Sequence, residues 1–446
     1  MFSQPQKFAI RNSNPVLFQS SLSRSYTNST SPPPSPQDDS SSSYLNKFAK
    51  ATAKRLPTVI IGKLVVAGVV GLISVDLLYA GYRNGHNKRL LNKTVENGTQ
   101  PNVKIKENTF APRPDIMEYL KQILRPDEDA SYYHVICGEH GTGKTILTRR
   151  ASREVGQGVI YVEIPSDPKD KDIELFGKAF GESLNFKFEE HISFTAQLKN
   201  KILGSNGKVD ERPKWRRALE AFKSAGAVYK AKHNKPPVIV YDNISELLNV
   251  DPEVLDALQN DAKMNADHRE YVAVFVSSEG SVPRRMESRS VWSRAKKPVI
   301  EIGDLSKEES MKYLTEKRKI NEVDAKKLYE LVGGRIVDLK TVADDFLAKQ
   351  PFEVIKQQVF GTVFDNLEKA EMNPGQSNHE AAKIIIKALI NSNDMLHVSK
   401  LREMTKVEPS KLLKNNVFAY HPVNKTVTFQ SRSTECYIHE NEKFIN

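Results

Sequence analysis

The chain has 446 residues, enough for two or three domains that each bury a core of their own. Its net charge of +11 does not mark a nucleic-acid surface: residues 1–100 hold twelve Lys/Arg against four Asp/Glu, so +8 of the excess sits there and the other 346 residues carry +3. Two distant cysteines, Cys137 and Cys436, support neither a disulfide framework nor a cysteine-based zinc site.

Up to Asp38 the chain has no acidic residue, carries Lys7, Arg11 and Arg24, and is rich in Ser, Asn and Gln. That is the composition of a mitochondrial transit segment, and Arg24-Ser25-Tyr26-Thr27 is similar to a matrix-protease cleavage pattern. An ordinary disordered polar tail fits the same residues. Ser31–Ser43, with four prolines and a serine cluster, reads as a flexible linker, so residues 1–55 are expected to be transit peptide and linker.

Residues 56–80 are expected to form a single transmembrane helix around the apolar run Leu64–Val75. Twelve residues fall short of the ~20 that span a bilayer. The span closes if Leu56–Lys63 is included with Lys63 snorkelling, or if Asp76 to Tyr79 sit at the far boundary. A buried helix is the alternative, although the Gly, Ala and Val content suits lipid better. Lys54 and Arg55 before the run and Arg83, Lys88 and Arg89 after it leave its orientation open. The expected address is a mitochondrial membrane, the inner one, with residues 81–104 as a linker.

Residues 105–304 read as an α/β nucleotide-binding core with a parallel sheet. Tyr133–Cys137 is a short apolar run suited to a buried strand, and it leads into Gly138-Glu139-His140-Gly141-Thr142-Gly143-Lys144-Thr145, a full match to G-x-x-x-x-G-K-[ST]. The glycines let successive N–H groups face phosphate oxygens, and the helix that follows adds the positive end of its dipole. Lys144 is expected at the β and γ phosphates of ATP and Thr145 on Mg²⁺. A second strand, Gly158–Glu163, is followed by a long helical stretch over roughly 173–232, interrupted near Gly204 to Gly207. Val238–Asp242 is a third strand, whose terminal Asp242 has the chemistry of a Walker B acid that bonds a Mg²⁺-coordinated water. A hydrolytic site usually places a glutamate next, but Asn243 stands there and cannot accept a proton. Glu246 and Glu163 are the candidates for the missing base. Tyr271–Ser278 is a fourth strand, with Ser278 either a γ-phosphate sensor or the start of a loop. Arg289 and Arg294 lie ahead of the fifth strand, Pro298–Ile302, either as fingers for a neighbouring subunit or in a solvated basic loop. The chain shows no guanine-reading motif, transporter signature or helicase box.

Helices over 307–317, 322–332 and 336–349 make a small helical domain, residues 305–350, with Ser306 as an N-cap. Residues 351–446 contain three short helices, at 380–391, 398–404 and 409–414, and a hairpin over Val417–Phe429 that turns at Asn424-Lys425. Three helices and a hairpin make a winged helix.

In this order the pieces resemble the AAA+ and STAND-related P-loop ATPases, especially the archaeal-type group, in which core, helical lid and winged helix follow one another. The resemblance implies that Phe110-Ala111-Pro112-Arg113 contacts the adenine and that Arg335 is the second sensor, an arginine in the lid that touches the γ-phosphate. Asn243 departs from the pattern, as does the absence of the STAND-type arginine after the sensor strand. The leading expectation is a membrane-anchored mitochondrial ATPase whose lid and wing move with nucleotide state on a protein partner. Two alternatives stay open: a nucleotide-gated scaffold with little turnover, and a DNA-binding loader-type ATPase. Self-association stays open as well.

Overall fold

The structure is a computed structural model that describes residues 58–103, 109–166, 172–188, 212–278, 280–392, 395–413, 416–441 and 444, except for the side chains of residues 58–66, 281 and 410. The expected transit segment and its linker lie outside the described residues, as does the break near Gly204 to Gly207. The chain divides into two units, Met1–Gly71 and Leu72–Asn446. In the first, the described residues are helical from Thr58.

Helix α1 (Thr58–Asn97) does not stop at residue 80. Leu91 and Val95 are buried in the main core, and Gly158 N–H donates to the Val95 carbonyl at 3.1 Å. Residues 81–97, expected as linker, are thus the last turns of a packed helix. Among the described residues no helix is long and apolar enough to cross a membrane. In the described part of the expected span the apolar run meets Asp76, and beyond the span the helix turns polar from Arg83.

After α2 (Pro114–Ile123) come β1 (His134–Cys137), α3 (Lys144–Val155), β2 (Val159–Glu163), α4 (Ile173–Ser183), α5 (Lys214–His233), β3 (Val238–Asp242), α6 (Ser245–Val250), α7 (Pro252–Asp267), β4 (Val272–Val276), α8 (Ser281–Glu287) and β5 (Ile300–Glu301). The five strands form one parallel sheet in the order β2-β3-β4-β1-β5. Alternation along each strand divides the apolar residues between two cores. Ile160, Val162, Ile239, Tyr241, Ala273 and Phe275 face α4, α5 and α7. Val159, Tyr161, Val238, Val240, Val272 and Val274 face α2 and α3. Gly177 lets α5 cross α4 closely, since a Cβ there would stand 2.6 Å from Lys214 Cβ.

The lid holds α9 (Lys307–Lys312), capped by a Ser306/Glu309 capping box and continued by a π turn, then α10 (Glu322–Val332) and α11 (Ile336–Leu347). Helix α12 (Phe352–Lys369), not anticipated, leads to the last domain. There α13 (His379–Asn391), β6 (Leu396–His397), α14 (Val398–Thr405), α15 (Pro409–Leu412), β7 (Phe418–His421), β8 (Thr426–Phe429) and α16 (Arg432–Glu440) surround a core of their own. Its antiparallel sheet runs β6-β8-β7, and Lys425 takes the left-handed turn position. This is a winged-helix arrangement with one added short strand and a closing helix.

Candidate functional site

The sheet order inserts β4 between β1 and β3, so the loop after β1 and the acid ending β3 flank the C-terminal end of β4. A crevice at the carboxyl ends of parallel strands is where such sheets take ligands. Gly138, Gly141 and Gly143 have φ of +142°, +84° and +89°, which L side chains rarely adopt. A Cβ on Gly138 would also lie 2.3 Å from the Ile302 carbonyl oxygen, so the loop can leave β1 only through glycine. Helix α3 then begins at Lys144, and its first N–H groups have no partner within the helix.

Lys144 is buried, and its ammonium donates to the loop's own Glu139 carbonyl and, at 3.2 Å, to Thr142 Oγ1. Burial lowers its pKa to about 8. Thr145 Oγ1 lies 3.4 Å from Asp242 Oδ1. Two hard oxygen donors converging from a helix N-terminus and a strand end suit a Mg²⁺ that keeps several waters. Asp242 is buried, which raises its pKa, while hydrogen bonds from Tyr161 and Thr145 oppose that shift.

The other expected residues separate into groups. Arg113 donates to the Gly303 carbonyl at 2.7 Å and lines a cavity of about 600 Å³ with Phe110, Ala111, Thr142, Gly143, Ile146 and Ile336. This space beside the loop, apolar at Phe110, Ile146 and Ile336 and polar at Arg113, Lys340 and Asp344, has the size of a base pocket. His140 instead borders a polar cavity of about 360 Å³ under α11 and α12. Asn243 does not aim at the crevice: its backbone is left-handed at φ +64°, and its amide donates to the Ile164 carbonyl at 3.2 Å. Asparagine tolerates that conformation, which gives it a backbone reason to follow Asp242. Glu246 accepts from Ser166 at 3.1 Å, and Glu163 is paired with Arg149. Ser278 follows β4, beside Ser277, whose hydroxyl lies 3.1 Å from Ser245 Oγ. Arg289 is held by Asp256 at 2.8 Å and Arg294 by Asp267, both on α7. The Arg294 carbonyl accepts from Tyr133 N–H at the N-terminal end of β1, the opposite edge of the sheet from the loop. Neither arginine is brought to this chain's own site.

Arg335 does reach the loop, though held by other partners. Its side chain lies where a Gly141 Cβ would be, 2.9 Å from Arg335 Cδ, and Val337 N–H donates to the Gly141 carbonyl at 3.2 Å. The guanidinium forks onto Asp304 at 2.8 and 3.2 Å and donates to Gln430 Oε1 at 2.6 Å and to the Gln430 carbonyl at 2.7 Å. Gln430, just past β8 of the wing, in turn donates to Glu139 Oε2 at 2.9 Å. Burial raises Glu139 to about 6, against Arg335, His421, Lys144 and Gln430 pulling it down. His421 of β7 meets Glu301 of β5 at 2.5 Å; that partner raises its pKa, while burial opposes the rise. Core, lid and wing therefore meet at the phosphate loop, the wing through Gln430 on Glu139 and the lid through Arg335 beside Gly141. Sequence reasoning missed Gln430, His421, Tyr161 and Arg149. Alternation along β2 could have placed Tyr161 on the Asp242 face, whereas nothing in the sequence marked Gln430.

The family model of an ATPase domain predominantly from Archaea matches residues 110–342. No curated protein matches the chain. Among solved structures it is similar to the Walker-type ATPase PABY2304 of Pyrococcus abyssi, at 14% identity and TM-score 0.49, covering 76% of this chain and 98% of that one. The Aeropyrum pernix ORC2 protein, in its ADPNP–ADP complexes, shares 14% identity at TM-score 0.41 over 75% of this chain and 95% of its own. Cdc6p from Pyrobaculum aerophilum is 14% identical at TM-score 0.36, covering 75% and 97%.

Proposed function

The chain belongs to the family of ATPase domains found predominantly in Archaea, and on that premise we propose that it binds ATP with Mg²⁺ at Gly138–Thr145 and uses nucleotide state to release the lid and wing from the loop. The observation that carries this reading is the junction at Glu139, where Gln430 of the wing bonds a residue of the phosphate loop and also holds Arg335 of the lid.

In this reading Lys144 exchanges the Glu139 carbonyl and Thr142 hydroxyl for phosphate oxygens, and the α3 N-terminus adds its dipole. Thr145 and Asp242 hold the metal, which when bound neutralises phosphate charge. The cavity beside Arg113 takes the base. Arg335 reaches phosphate only by giving up Asp304 or Gln430. Glu163, Glu246 and Asn243 are each engaged by a neighbour, which favours slow turnover and a nucleotide-gated device over rapid hydrolysis. Arg289 and Arg294 enter only if a second copy presents them.

The same reading places the chain at a mitochondrial membrane through residues 56–80. Its support is the run Leu64–Val75 and the exposure of Leu72, Val75 and Leu78.

Titrating the full chain with Mg-ATP tests the core statement: binding is expected in the wild type and lost in Lys144→Ala, and undiminished affinity in the variant would refute it. Steady turnover abolished by Asp242→Ala would show an efficient hydrolase in place of a gated scaffold. Protease protection of the tagged chain in isolated mitochondria tests the address, and full digestion without detergent would overturn a protected location.

A further inference from the structure

Period-two alternation places Val159, Tyr161 and Glu163 of β2 on the sheet face that carries Val238, Val240 and Asp242 of β3. In the parallel register Tyr161 lies opposite Val240 and Glu163 opposite Asp242, so Tyr161 is diagonal to the acid. Helix α3 packs on this face through Leu147 and Ala151, and its i,i+4 spacing directs Thr145 and Arg149 toward the same strand ends. A chain of contacts follows. Arg149 Nε donates to Tyr161 Oη at 3.2 Å, Tyr161 Oη meets Asp242 Oδ2, and Arg149 also pairs with Glu163. A guanidinium can only donate, so the tyrosine oxygen accepts from Arg149 and its one proton goes to the carboxylate. The other oxygen, Asp242 Oδ1, accepts from Asn243 N–H at 2.9 Å and faces Thr145 at 3.4 Å.

We propose that Tyr161, polarised by Arg149, is a positioning residue for the metal: by occupying Asp242 Oδ2 it fixes the carboxylate so that Oδ1 is presented beside Thr145. The proposal rests on the nucleotide reading above and deepens it. Tyr161 is 4% exposed and Asp242 is 2% exposed, so water does not readily replace the hydroxyl if it is removed. Without it, Oδ2 loses its donor and the carboxylate is held only at Oδ1, by Asn243 N–H and Thr145, so the metal must impose part of the orientation that the protein now supplies. The effect belongs to metal-bound nucleotide alone, because neither Tyr161 nor Arg149 lies among the glycine-loop groups that would meet phosphate.

The test measures ATP affinity of the full chain calorimetrically, in EDTA and at stepped Mg²⁺ concentrations. Tyr161→Phe is expected to keep the wild-type affinity in EDTA and to need about 10- to 100-fold more Mg²⁺ for the same gain in affinity, the range seen when a partner that orients a metal ligand is removed. Asp242→Asn should raise the Mg²⁺ requirement as well, and adding Tyr161→Phe to it should change nothing further, since the hydroxyl acts through that carboxylate. A Mg²⁺ requirement unchanged in Tyr161→Phe overturns the proposal and leaves the nucleotide site standing. So does an equal loss of affinity with and without metal, which would make the hydroxyl merely structural. Absence of ATP binding by the wild type in either condition overturns the nucleotide reading, and the proposal with it.

Discussion

Gln430→Ala should loosen the wing from the phosphate loop and tighten ATP binding. The substitution deletes two side-chain hydrogen bonds, the 2.9 Å donation to Glu139 and the 2.6 Å acceptance from Arg335, and leaves the backbone bond between Arg335 and the Gln430 carbonyl. Hydrogen bonds with a charged partner contribute about 1.5–3 kcal/mol each. The lower end applies here, because Arg335 retains its fork on Asp304. The wing-closed state then loses about 3 kcal/mol, somewhat over 100-fold in its opening equilibrium. If ATP binds only the open loop, its apparent affinity rises by up to that factor, limited by how rarely the wild type opens. Calorimetric titration of both proteins with Mg-ATP reads the effect. A dissociation constant within twofold of wild type, for a variant with an intact cooperative melt, would refute the idea that the wing restrains the loop.

The same junction predicts a pH dependence. Glu139 is raised by burial from 4.5 to about 6 in the closed state, so its contribution to closure is full below 4.5 and is lost as pH rises through 6. His421, raised by Glu301, acts in the same direction. Going from pH 7.5 to 5.5 should therefore weaken ATP binding more in the wild type than in Gln430→Ala, a comparison that cancels the titration of ATP itself. Gly138→Ala should abolish ATP binding and lower the thermal midpoint by several degrees, since the new Cβ meets the Ile302 carbonyl while Ile302 N–H is bound to Cys137 at 2.8 Å; circular dichroism melts check it. Gly177→Val should destabilise the core by about 1–3 kcal/mol through the crossing of α4 and α5, measured by denaturant unfolding.

The parts of this site legible in the sequence were those whose chemistry is local. The glycines, Lys144 and Thr145 act through backbone conformation and helix position over eight consecutive residues, and the strands of the core sheet carry continuous apolar runs. Helix α12 was legible but unread: Ile355, Val359, Val363 and Leu367 repeat every four residues. The contacts of Asn243 were not legible, because they come from a left-handed φ and from a carbonyl 79 residues away in sequence, neither of which a strand-end pattern displays. Gln430 stands 291 residues from Glu139, and a lone glutamine after a hairpin carries no signal of what it will touch. The expected linker over 81–104 failed for a similar reason, since polar residues there hide Leu91 and Val95, which find their partners only in the folded core.

Lys144, parked on the loop's own oxygens, bears on which ligands the site can tell apart. An arriving polyphosphate does not meet a bare cation; it displaces a carbonyl and a hydroxyl already in place. The exchange conserves the number of hydrogen bonds but replaces neutral acceptors with anionic ones, so this residue reads phosphate charge alone, and discrimination among nucleotides shifts to the cavity of about 600 Å³ beside Phe110 and Ile146. Nucleoside triphosphates that differ only in the base should consequently be told apart in that cavity and not at the lysine, whose contribution they share.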